Sequence, residues 1–174
     1  MALGIAWTCR VLLATVLVLS AAWKLGHPGE FRRAYRGLAP RPIAGFGGPA
    51  VWLVAAFELT TAALVLAGTW VGPALALIVV GTFTARIAAA PGLAECGCWT
   101  MSFVHDPAVA RRLTLGRNAV VLVVAAVALL GPSDIASRDL LAPVVAGVLL
   151  GIVVVELPLI VSIATIHRRL VNRA

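Results

Sequence analysis

The chain is short of charge, and above all of negative charge. Of its 174 residues only 12% are Asp, Glu, Lys or Arg, and only 7 of these are acidic. A soluble domain carries about a quarter charged residues and about half apolar ones. Here 61% are apolar and mean hydropathy is +1.04, so water is the wrong solvent for most of the surface. Cysteine is scarce as well: Cys9, Cys96 and Cys98 are too few for a disulfide scaffold. Tyrosine occurs once, and no low-complexity linker or convincing internal repeat divides the chain. A length of 174 leaves no room for a separate soluble catalytic domain beside several spans of about 20 residues each.

What remains is a series of long apolar runs. Residues 3–23, 48–67, 71–91, 115–130 and 140–163 read as five transmembrane helices of one all-α, polytopic membrane bundle covering 1–174, a four-helix core plus one. The first run resembles a secretory leader, with small residues at Ser20-Ala21-Ala22, but its amino end is apolar rather than basic and it reads as a span. Residues 27–42 carry Glu30, Arg32, Arg33, Arg36 and Arg41, with Phe31, Tyr35 and Leu38 at helical spacing. That pattern fits a short helix lying in the interface. Gly68-Thr69-Trp70 joins the second and third runs so tightly that they must form an antiparallel hairpin.

The net charge of +7 would suggest nucleic acid in a soluble protein, but these arginines sit between apolar runs, the pattern that orients membrane proteins. The partner they imply is the lipid bilayer and not a nucleic acid. With five spans, twelve of the 14 Lys and Arg residues fall on one side, and only Arg10 and Arg138 on the other. The positive-inside rule then puts the amino terminus outside, and the basic carboxyl tail and the Cys-Gly-Cys segment at the cytoplasmic face of the cell membrane.

Three groups of residues are able to carry chemistry. Cys96 and Cys98, one glycine apart, are suited to a strained, exchangeable disulfide. Arg86, Arg111, Arg112 and His105 lie near enough in sequence to favour the thiolate, and Glu95 opposes it. The alternative is that both thiols simply pack at a helix end. Structural zinc needs four ligands, and the sequence offers no such set, so no metal is expected. Cys9 lies about 20 Å from that level by helix rise and reads as packing. The third group is the ionisable residues of the spans: Arg10, Glu58, Arg86, Arg117 and Glu156. Each needs a partner or a watery cavity. Matching depths by residue count pairs Arg10 with Glu58, and Glu156 with Arg86 or Arg117. Such pairs either hold helices together or form a proton or quinone site linked to thiol chemistry; no cofactor is required by the pattern, and a quinone is compatible with it.

Trp23-Lys24-Leu25, Phe57-Glu58-Leu59, Cys96-Gly97-Cys98-Trp99 and Arg117-Asn118, in this order and spacing, resemble the MauE family of methylamine utilisation membrane proteins, within the wider DoxX-like group. The likeness covers about residues 10 to 130. It implies a factor that matures a disulfide-containing client, in the family the small subunit of methylamine dehydrogenase, alongside a thioredoxin-like partner. Cys96 and Cys98 would be its redox pair and Glu58 the polar residue of the second span. Two departures stand out. Trp99-Thr100 replaces the Phe-Gly common after the cysteines, and the charge bias puts them on the cytoplasmic side, whereas maturing an exported client needs them outside. A non-catalytic assembly or scaffold role is the competing reading. A transporter is the weakest, since matched broken spans are missing.

Overall fold

The computed structural model describes residues 2–38, 46–89, 107–131 and 141–171. All regular structure among them is helical: α1 (Ala2–Gly26), α2 (Pro28–Leu38), α3 (Gly47–Leu66), α4 (Val71–Ala89), α5 (Pro107–Leu130) and α6 (Leu141–Val171). Four helices, over Leu3–Gly26, Gly47–Leu66, Val71–Ala89 and Ala108–Leu130, are long and apolar enough to cross a membrane, and Leu141–Glu156 of α6 is a further apolar stretch. The chain is a multi-pass helical membrane protein, as its composition demands.

Helix α1 is the hub. It packs against α3, α5 and α6, while α4 closes on α5 and α3. Leu13, Ala14 and Leu17 of α1 meet Ala62 and Val65 of α3, Ala76 of α4 and Val121 and Ala125 of α5 in the central core. Inter-helix contacts fix the directions. Arg10 reaches the end of α3 and Lys24 its middle, so these two helices are antiparallel. Thr15 lies against Gly151 and Val11 against Gly147, so α1 and α6 run parallel. That seam depends on the absence of side chains. A Cβ on Gly147 would lie 2.7 Å from the Val11 Cβ and 2.8 Å from the Thr8 carbonyl oxygen. Gly147 and Gly151 are thus the two small residues of a close helix crossing, the contact that replaces hydrophobic pressure inside a bilayer.

The hairpin between α3 and α4 turns on Gly68, whose φ of 75° is the left-handed conformation that favours glycine. The Gly68 N–H donates to the Val65 carbonyl and the Thr69 N–H to that of Leu64, the paired bonds of a Schellman end. Helix α2 follows α1 after His27 alone, with Pro28 at its first position, where no N–H is needed. Phe31 is 2% exposed and packs with Ala50 and Val51 of α3, so α2 lies on the bundle while Arg32, Arg33 and Arg36 face outward.

Candidate functional site

A polar cluster occupies the interior where α1, α3, α4 and α5 converge. Lys24, at the end of α1, is 1% exposed, and its Nζ donates to both carboxylate oxygens of Glu58, at 2.8 and 2.9 Å. It also donates to Ser20 Oγ, one turn back, at 2.6 Å. The Ser20 hydroxyl in turn donates to Glu58 Oε1 at 3.1 Å. The Phe31 ring of α2 lies 5.7 Å from the ammonium and covers this side of the pair. An ammonium has three protons to place, and two carboxylate oxygens and a hydroxyl take them. The charge pair is buried and hydrogen-bonded.

Arg117 and Asn118 of α5 are 4% and 5% exposed. Asn118 Nδ2 donates to Thr84 Oγ1 of α4 at 3.0 Å. Ser20, Glu58, Thr61, Arg117 and Asn118 form the polar part of the wall of a cavity of about 50 Å³, whose remaining lining is apolar and includes Phe57 and Phe83.

The expected partnership of Arg10 with Glu58 is not what forms. Arg10 is 1% exposed, and its NH1 donates to the Val65 and Thr69 carbonyl oxygens, at 3.4 and 3.2 Å, at the end of α3. The reason lies in side-chain direction. Helical side chains lean toward the amino end of their own helix. Arg10 is therefore carried outward to the α3–α4 turn, where it meets the negative end of the α3 dipole. Lys24, counted from its Cα as lying beyond the span, is carried inward to Glu58. Depth counted at Cα level misses both displacements, though Lys24 and Glu58 stood side by side among the motif residues.

Arg111 uses the same device as Arg10. Its Nε donates to the Ile87 carbonyl at 3.2 Å and its NH2 to that of Ala88 at 2.7 Å, capping the last turn of α4. Arg111 is thus tied to the helix end from which the Cys96–Cys98 segment departs. Cys96 and Cys98 themselves lie outside the described residues, as do Glu95 and His105. Cys9 is a half-buried free thiol on α1. Arg86 is exposed near the end of α4, and Glu156 is half-buried on α6.

No curated protein and no solved structure matches the chain. The family model of methylamine utilisation protein MauE matches residues 3–131, which takes in α1 to α5 with the whole polar cluster and the Cys-Gly-Cys segment, and the chain belongs to that family.

Proposed function

We propose that this membrane protein is a thiol–disulfide redox or maturation factor that exchanges disulfides with a client, using Cys96 and Cys98. The observation that carries the reading is the family match, whose span of residues 3–131 includes both cysteines. Support comes from Arg111, whose hold on the last carbonyls of α4 ties together the two helices that flank the segment. The exchange balances as follows. A client thiolate attacks one sulfur of the Cys96–Cys98 disulfide, the S–S bond breaks, and the other sulfur leaves as thiolate. A second client thiolate then displaces the mixed disulfide. The client gains a disulfide, the pair takes two electrons and becomes a dithiol, and the disulfide of a thioredoxin-like partner takes those electrons back by the same chemistry.

The working topology has five spans, with α6 as the fifth, and an outer amino terminus. Lys24, Arg117 and Arg10 are buried in the bundle and drop out of the charge count. Ten cations to one remain, in favour of a cytoplasmic tail and a cytoplasmic Cys-Gly-Cys segment. A scaffold role is the second reading. The buried Lys24–Glu58 pair supports it, because a hydrogen-bonded charge pair fixes helix register without chemistry.

Rapid alkylation of unstressed cells separates the two. Redox cycling yields a fraction with Cys96 and Cys98 disulfide-linked, abolished by dithiothreitol, and each single Ser variant captures a mixed disulfide. Both thiols staying reduced under oxidising stress, with the double Ser variant fully functional, would sink the redox reading. An impermeant thiol reagent on intact cells tests the topology, and prompt labelling of Cys96 and Cys98 would overturn it.

A further inference from the structure

The cavity beside the charge pair has a hydrogen-bonding polarity that can be read atom by atom. Thr84 Oγ1 donates its only proton to the Val80 carbonyl at 2.6 Å, so toward Asn118 it can only accept. The amide must therefore turn its nitrogen to Thr84, which leaves Oδ1 as the free end of a side chain that is 5% exposed and lines the cavity. No partner for Oδ1 exists among the described residues. The neighbouring polar atoms have the same bias. Thr61 spends its proton on the Phe57 carbonyl at 2.8 Å, and Ser20 spends its own on Glu58. Glu58 accepts only. Arg117 is a donor in the wall and has an interaction of its own. At Asn118 Oδ1 the floor presents an acceptor and asks for a donor.

The rest of the wall is apolar, and the accessible rim is Phe57, exposed, with Val79 and Phe83 half-buried, on the faces of α3 and α4. The cavity of about 50 Å³ takes a small polar head group and is open on one side. Because α3 and α4 are spans, that mouth opens sideways to acyl chains and not to water. A visitor arrives from the bilayer, apolar body outward and polar head inward.

We propose that this lateral cavity binds a bilayer-dissolved molecule with an aromatic hydroxyl head, of the hydroquinone class, whose hydroxyl donates to Asn118 Oδ1 while its ring lies between Phe57 and Phe83. The site does not rest on the cysteines, so the Cys96→Ser/Cys98→Ser variant binds as the wild type does, and failure here is distinct from failure of the redox reading.

The test uses the full chain in lipid nanodiscs, with a decyl-substituted hydroquinone, its dimethyl ether and a short-chain diacylglycerol as probes, and bound ligand counted by native mass spectrometry. Hydroquinone should saturate at one per chain, about tenfold tighter than the dimethyl ether, the difference made by one buried hydrogen bond. Asn118→Leu should remove that preference. Val79→Phe, which fills the rim without touching the polar floor, should abolish saturable binding in a normally folded protein. Equal binding of hydroquinone and dimethyl ether would overturn the proposal, as would uptake that only follows bilayer concentration, leaving a water site. Preference for diacylglycerol would overturn the aromatic assignment and leave a hydroxyl-headed lipid as occupant.

Discussion

The two ends of α1 each bury a cation, and they satisfy it in opposite ways. Arg10 is held by carbonyl dipoles at the end of α3, with no carboxylate among its hydrogen-bond partners in the described residues. Lys24 is held by a full negative charge, Glu58, braced by Ser20. Removing the first cation leaves only helix-end carbonyls, which have other means of satisfaction. Removing the second takes the ammonium away from a buried anion. The comparison teaches that equal burial does not mean equal dependence, because what matters is the charge left behind.

The largest effect should therefore come from Lys24→Met. Deserting a buried partner costs about 3–5 kcal/mol, and equilibrium unfolding in mixed micelles should show a loss of that order. Adding Glu58→Leu should recover most of it, because the stranded charge is gone. If the double variant is as unstable as the sum of the single ones, the pair is not the unit described here.

Arg10→Met should cost less, about 1–2 kcal/mol, the net worth of hydrogen bonds to a charged donor offset by relief of its own desolvation. Combined with Glu58→Gln it should be additive, since the two side chains share no partner. Non-additivity in the same unfolding assay would mean that Arg10 and Glu58 communicate after all and would blur the contrast between the two ends.

Much of the architecture was legible from the sequence because bilayer hydropathy is a coarse, local signal. The apolar runs and the Gly68 hairpin needed nothing more, and the helical spacing of Phe31 and Tyr35 gave α2 as a helix. The site was less legible, for reasons of geometry. Glu58 is buried, and its partner is the side chain of Lys24, whose reach and lean bring it several ångströms from where its Cα suggests. Ser20 and Asn118 are ordinary polar residues in sequence and become informative only when their hydrogen bonds fix which protons are spent. The α1–α6 seam carried a readable sign in Gly147 and Gly151, four apart in an apolar helix, though nothing in a single sequence says which helix they meet. Arg111 looked like a neighbour for the cysteines, and its contacts make it a cap for α4.

The smallest expected effect concerns Ser20, the neutral residue that touches both members of the ion pair. Its hydroxyl accepts from Lys24 at 2.6 Å and donates to Glu58 at 3.1 Å, so it bridges two charges that also touch directly. Ser20→Ala removes the bridge and leaves the ion pair, so the loss should be about 1 kcal/mol, the usual net value of an intramolecular hydrogen bond. It should also be non-additive with Lys24→Met, because the hydroxyl's value depends on the ammonium being there, yet additive with Arg10→Met at the far end of the same helix. Micelle unfolding of the three single and two double variants decides this. A Ser20→Ala loss as large as that of Lys24→Met would show that the hydroxyl is an essential ligand of the buried charge. The difference between the two ends of α1 would then rest on a three-residue network in place of a simple pair.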